Sequence, residues 1–159
     1  MDATAENAAG QGERRTRLLI PALRAFYDWA GDVSYLIIRL TAGLMLLPHG
    51  IPKVFEQGIS AFAVAGLARR GIEPALPLAY VIVFNETIGG LMLAAGLLTR
   101  LVAASIAIEM LVIAWVYYPK FGWTGPGYEY ALMWGLLAFA IALRGGGPYS
   151  LDRKLGWEI

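Results

Sequence analysis

Four long apolar segments constrain this chain more than any other feature of its sequence. They cover about residues 33–54, 75–98, 101–118 and 128–143. As an α-helix rising 1.5 Å per residue, the longest segment easily crosses a hydrocarbon core of about 30 Å, and the shortest does so with little tilt. The sequence therefore predicts an all-α integral membrane protein built as a bundle of four transmembrane helices.

Composition supports the same class of protein and excludes several kinds of chemistry. Only 16% of the 159 residues are charged and 58% are hydrophobic, whereas a soluble domain has about 25% charged residues. The chain has no cysteine and one histidine, which excludes disulfides, thiol redox couples, iron–sulfur clusters and bis-histidine haem within the chain. We expect no cofactor held within the chain and no metal site. The net charge of +1 predicts no nucleic-acid partner.

Two segments precede the first apolar helix. Residues 1–13 are small and polar without hydrophobic periodicity, which predicts a disordered tail. Residues 14–31 place Leu19, Leu23 and Phe26 at helical spacing among several arginines, which predicts a basic amphipathic helix at the membrane interface. A cleaved signal peptide is a less favoured alternative, because no small-residue cleavage site follows. The transmembrane domain itself is predicted to span residues 33–153.

Basic residues predict the orientation of the bundle. Eight lysines and arginines would lie on the side of the two termini, against Arg69, Arg70 and Lys120 on the other side. By the positive-inside rule, both termini are then cytoplasmic. Aromatic residues crowd around the third connection, as an interfacial belt would. We expect the chain to lie among the lipids of a bacterial cytoplasmic (inner) membrane.

Six ionisable side chains lie within these apolar segments or at their ends, where lipid is an unfavourable solvent. Each costs about 2.5 to 3.5 kcal/mol near a helix centre, so we expect them to face one another rather than lipid. Counting residues along the helices makes Glu86 the partner of Arg39, His49 or both, and places Lys53 near Glu129. The six residues are Arg39, His49, Lys53, Glu86, Glu109 and Glu129.

This cluster has two interpretations. In the structural one, ion pairs set the register of the helices and bind no ligand. In the functional one, a polar pocket binds a small anion or a quinone headgroup and exchanges protons. The candidate catalytic residues are then Glu86 and His49. The candidate substrate-binding residues are Arg39, Lys53, Glu109 and Glu129.

Arg39 and four short motifs, in this order and spacing, resemble the DoxX family of small four-helix membrane proteins. The motifs are HGIPK at 49–53, ETIGG at 86–90, GLLTR at 96–100 and GGGPYSLD at 145–152. The resemblance covers about residues 34–153. It matches Arg39, Lys53 and Glu86 to the recurrent intramembrane charges of the family and Arg100 to its inner turn. Glu109 lies outside the pattern.

The resemblance implies a membrane partner in redox metabolism. Its namesake group consists of membrane subunits of thiosulfate:quinone oxidoreductases, and other relatives accompany soluble redox or sulfur-transfer enzymes. One hypothesis is a non-catalytic or accessory subunit within a larger membrane complex. A second is a quinone-linked oxidoreductase subunit, in which substrate reduces quinone directly or a partner protein supplies the redox centre. A small-solute transporter is less favoured, because the chain shows no inverted repeat.

Overall fold

The computed structural model describes residues 18–122 and 127–158, and the regular secondary structure within those ranges is entirely helical. The all-α prediction is thus confirmed for the described part of the chain. The predicted tail at 1–13 and the beginning of the predicted interfacial helix lie outside the described residues. The helices are α1 (Arg24–Leu44), α2 (Leu47–Phe55), α3 (Ile59–Phe62), α4 (Ala75–Ala95), α5 (Thr99–Tyr117), α6 (Glu129–Arg144) and α7 (Leu151–Leu155).

Backbone contacts divide the chain into two units after Gly31. In the first unit, a short 3₁₀ turn at Pro21–Leu23 leads into α1, and the ring of Phe26 lies 5.5 Å from that of Tyr27. Within the second unit, a turn at Met45 and Leu46 separates α1 from α2.

Three helical stretches are long and apolar enough to cross a membrane: Pro21–Phe55, Ala75–Ala95 and Thr99–Tyr117. The fourth predicted segment forms α6, whose 16 residues extend about 24 Å along the helix axis. Apolar side chains such as Leu101, Ile108 and Leu136 are exposed, while polar and charged side chains are buried. This distribution is what helices solvated by lipid require. The buried polar set is Arg39, Asn85, Glu86, Thr99, Glu109, Ser150 and Asp152.

Small residues bring α1 and α4 into close contact. A Cβ atom on Gly43 would lie 2.3 Å from the carbonyl oxygen of Gly90, and one on Gly90 would lie 2.6 Å from the carbonyl oxygen of Gly43. The small residues Ala42 and Gly43 on α1, together with Gly90 and Ala94 on α4, permit this approach. On the other side of the bundle, α5 packs along α6, with Ile106 and Met110 in the same buried cluster as Trp134.

The connection between α2 and α4 is itself largely helical. After α3 the chain continues as a π-helical turn at Ala63–Leu67 and a 3₁₀ turn at Ala68–Arg70. Buried side chains of this connection, such as Leu67, pack on Ala79 of α4. A second π-helical turn, Asn85–Gly89, lies within α4 itself. Both π turns border the cavity described below.

Candidate functional site

An ion pair joins α2 to α4 in the interior of the bundle. The ammonium group of Lys53 donates a hydrogen bond to Oε2 of Glu86. Gly50 allows the contact, because a Cβ atom there would lie 2.8 Å from Cβ of Glu86. Lys53 also lies over the ring of Phe62, with its nitrogen 4.9 Å from the ring centroid. The four-carbon stem of the lysine is thereby held between α2, α3 and α4.

Glu86 therefore has a different partner from the one predicted. The sequence estimate paired Glu86 with Arg39 or His49, and Lys53 with Glu129, by counting depth along the helices. The turn at Met45 and Leu46 interrupts the first segment, so a depth counted from Arg39 at about 1.5 Å per residue no longer describes α2. The ion pair that forms is the one between Lys53 and Glu86.

The π turn in α4 buries two consecutive polar side chains, Asn85 and Glu86, which are 1% and 3% exposed. Asn85 reaches α5, where its Nδ2 donates to Oε2 of Glu109 at 2.9 Å. Its Oδ1 accepts a hydrogen bond from the hydroxyl group of Ser105 at 3.0 Å. Single π turns inside α-helices occur frequently at functional sites. Here the π turn connects the Lys53–Glu86 pair on one side with Glu109 on the other.

Glu109 has one oxygen atom without a partner. Its side chain is 8% exposed, and Oε1 has no hydrogen-bond partner among the described residues. Buried polar atoms are nearly always hydrogen-bonded in folded proteins. The sequence singled out Glu109 as a candidate substrate-binding residue, and the structure places it beside the ion pair. Asn85 and Ser105, which orient it, were not predicted, because neither is ionisable and neither stood out in its apolar segment.

A cavity of about 550 Å³ opens against this polar cluster. Its volume is within the range of small-molecule sites, about 300 to 1,000 Å³. The walls are mostly apolar and come from the connection after α3, from α4 and from α5, for example Leu67, Ile82 and Ile113. The polar lining side chains are Lys53, Gln57, Arg70, Asn85, Ser105, Glu109 and Tyr117. An apolar chamber with a few convergent polar groups is the usual form of a ligand site in a protein.

Arg39 lies far from this cavity, at the end of the bundle formed by the turn 96–98 and the segment 145–150, which we name the turn end. Its guanidinium group donates to the carbonyl oxygens of Gly146, of Tyr149 at 2.5 Å and of Ala94 at 3.4 Å. The side chain is 1% exposed. Arg39 therefore joins α1 to the end of α4 and to the segment after α6.

Two further residues complete the turn end. The carboxylate of Asp152 accepts hydrogen bonds from the backbone of Leu98 at 2.7 Å and from the backbone and hydroxyl group of Thr99. Arg100 donates to the carbonyl oxygens of Ala142 and Leu143 at 3.1 and 2.6 Å, at the end of α6. These contacts satisfy helix-terminal groups that otherwise lack partners. The GLLTR and GGGPYSLD motifs were the sequence signal for this arrangement.

The two remaining candidates lie elsewhere. His49 is exposed on α2, and its ring lies 6.2 Å from that of Tyr130, which in turn stacks on Trp134 at 5.4 Å. Glu129 is the first residue of α6. Neither belongs to the described lining of the cavity. The structure thus brings Lys53, Glu86 and Glu109 together and does not place Arg39, His49 or Glu129 in the described cavity lining. The roles predicted for all six residues stay predictions.

Comparisons with known proteins give one family. The model of the DoxX family matches residues 34–119, which include α2, α4, α5, the ion pair and Glu109. No curated protein and no solved structure matches the chain.

Proposed function

The chain belongs to the DoxX family, and on that premise we propose that it is a membrane subunit of a redox complex that binds a quinone in the cavity between α4 and α5. The subunit itself carries no redox centre in this proposal. A partner protein supplies the electrons or the substrate that delivers them. In this proposal the subunit does not transfer electrons itself, but it binds the quinone.

The cavity carries this proposal. A quinone has an apolar ring and tail together with oxygen atoms that form hydrogen bonds, and the cavity offers apolar walls together with a polar cluster. Its neighbours α4 and α5 are both long enough to cross a membrane, so a molecule dissolved in lipid reaches them without entering water. The Lys53–Glu86 pair and Glu109 then lie where a headgroup requires polar partners.

A small anion, the other ligand suggested by the sequence, suits this cavity less well. The ammonium group of Lys53 is already bonded to Glu86, and Glu109 adds a second carboxyl group beside it. Two carboxyl groups against one ammonium group disfavour an additional negative charge. Arg70 also lines the cavity, but its guanidinium group donates to the carbonyl oxygen of Gly66 at 2.6 Å. With Arg70 counted, two positive charges face two carboxyl groups, so the lining has no excess of positive charge to bind an anion and a neutral headgroup is favoured.

The finer topology is part of the same proposal. We place α6 as a fourth transmembrane helix, with both termini in the cytoplasm of a bacterium and the turn end on the cytoplasmic side. The excess of lysines and arginines on the side of the termini supports this orientation. Fusing a reporter that is active only in the cytoplasm to residue 159 tests it. We expect the fusion at residue 159 to be active. If it is inactive and a fusion within the loop 118–128 is active, the orientation is opposite to the proposed one.

Native mass spectrometry of the protein extracted gently from its own membranes tests the function. We expect a bound quinone and stoichiometric partner subunits. Ile82→Trp fills the cavity and should remove the quinone, whereas Ile88→Trp, on the exposed face of the same helix, should retain it. If both variants carry the same amount of quinone as the wild type, the site lies elsewhere. If partner subunits co-purify but no quinone does, quinone binding is refuted and only the accessory role remains.

A further inference from the structure

We propose that Glu109 binds the headgroup in the cavity and makes the cavity selective for an occupant with a hydroxyl group, which for a quinone is the reduced quinol form. This inference rests on the proposed function and names the form of the ligand that the site prefers. Its basis is the unpartnered oxygen of Glu109 beside the cavity.

The first step of the argument is the orientation of the carboxyl group. Ser105 donates to Oδ1 of Asn85, so the amide nitrogen of Asn85 points at Glu109 and donates to its Oε2. Oε2 therefore already accepts a hydrogen bond from another residue of the chain. Oε1 has no partner in the described part of the chain, and Glu109 lines the cavity. In this proposal, the occupant of the cavity supplies the partner of Oε1.

The second step is the neighbouring charge. Lys53 also lines the cavity, and its ammonium group is bonded to Glu86. That group has further N–H donors, but Oε1 of Glu109 has no hydrogen-bond partner among the described residues. Lys53 therefore does not supply the partner of Oε1 in this structure.

The third step is the hydrogen-bonding capacity of the possible headgroups. A hydroxyl group both donates and accepts, whereas a carbonyl oxygen only accepts. A hydroxyl group thus satisfies Oε1 whether Glu109 is a carboxylate or a carboxylic acid, while a carbonyl group satisfies only the acid. A site built to bond a hydroxyl group rejects analogues that lack it, because the polar atom of the site is left unpaired. The quinol therefore binds more tightly than the quinone when Glu109 is a carboxylate, whereas the carboxylic acid accommodates both forms.

Replacing Glu109 by glutamine gives a specific expectation. In Glu109→Gln, the amide oxygen can still accept from Asn85, which turns the new NH₂ group toward the cavity. An NH₂ group only donates, so it suits the carbonyl oxygen of a quinone. Because a hydroxyl group can accept from NH₂ as well, we expect the variant to lose the preference for the quinol and to bind the two forms about equally. Glu56→Gln, an exposed carboxyl group at the end of α2, is the matched control and should keep the wild-type preference.

The experiment measures binding of a short-chain benzoquinol and its benzoquinone to the full chain in lipid nanodiscs, under anaerobic conditions. The measurement is repeated at increasing pH, because only the carboxylate discriminates between the two forms. With Glu109 as a carboxylate, we expect the wild type to bind the quinol at least about tenfold more tightly, the effect of one charge-assisted hydrogen bond. Ile82→Trp should abolish binding of both forms. Circular dichroism and size-exclusion chromatography establish that each variant is folded. If Glu109→Gln does not fold, Ser105→Ala, which releases Asn85, should reduce the preference several-fold.

Each other outcome overturns a definite part of the argument. Equal affinities for quinol and quinone, both lost in Ile82→Trp, would refute selection by Glu109 while leaving the proposed function intact. Binding of neither form would refute the proposed function. A long-chain alcohol that binds as tightly as the quinol and is weakened by Glu109→Gln would show hydroxyl recognition of a lipid, and so overturn the quinol assignment.

Discussion

Asp152 in α7 accepts hydrogen bonds from both the backbone N–H and the hydroxyl group of Thr99, at 2.9 and 2.7 Å. Thr99 begins α5, which is 53 residues away in sequence. The contact attaches the C-terminal segment to the first turn of a transmembrane helix and supplies partners for N–H groups at the start of that helix. The turn end is thus held together by groups remote in sequence.

Replacing Asp152 should therefore destabilise the protein without affecting the cavity. We expect Asp152→Ala to lower the free energy of unfolding by about 2 to 3 kcal/mol, because hydrogen bonds to a buried charged acceptor are lost. Unfolding in sodium dodecyl sulfate, followed by circular dichroism, measures the change. Lys154→Ala, an exposed residue of the same helix, is the control and should change it by less than about 0.5 kcal/mol. Equal stability of both variants would contradict this assignment.

Because Lys53 and Glu86 form an ion pair, the effect on stability of replacing one residue should depend on whether the other is present. Lys53→Met or Glu86→Leu alone should lower stability by about 3 kcal/mol, since each leaves a buried partner uncompensated. The double variant should recover much of this loss, because an apolar pair replaces both charges together. A double-mutant cycle on the same unfolding assay gives the coupling energy. Additive losses would show that the two side chains do not depend on each other.

Two glycines of α1 test the close approach of α1 and α4. Gly43→Ala places a methyl group against the backbone of α4 and should destabilise the protein by about 1 to 3 kcal/mol through overpacking. Gly31→Ala in the same helix meets no atom within 4 Å and should leave stability unchanged or raise it slightly, since alanine is the better helix former. If the two variants unfold at the same detergent concentration, the helices do not approach as described.

Arg39 distinguishes the structural from the functional interpretation of the buried charges. Its guanidinium group is bonded to carbonyl oxygens at the turn end, so Arg39→Gln should expose residues 145–158 to protease and lower stability. Quinone affinity of the folded fraction should be unchanged, because Arg39 does not line the cavity in the described part of the chain. A stable variant that has lost quinone would restore the substrate-binding role predicted from the sequence.

Helix positions were predictable because they depend on local properties. The predicted segments at 75–98 and 101–118 correspond to α4 and α5 within a few residues, since hydropathy and length decide which stretches leave water. Pro48 and Pro52 signalled an interruption of the first segment, but the turn lies just before them, at Met45 and Leu46, and Pro48 stands in the first turn of α2 with Pro52 inside it. The helical connection after α3 was not predicted, because its glycines and short apolar runs have no clear period.

The partners of the buried charges were less predictable, because they depend on how the helices pack. By itself, the sequence determined that the chain is helical, that it is suited to a membrane and that Lys53, Glu86 and Glu109 must avoid lipid. Only the tertiary structure decided that Lys53 meets Glu86, that Arg39 binds backbone carbonyls and that Glu109 keeps an unpaired oxygen beside a cavity. Hydropathy is a property of each segment alone, whereas pairing depends on kinks, π turns and glycine contacts that rotate one helix against another.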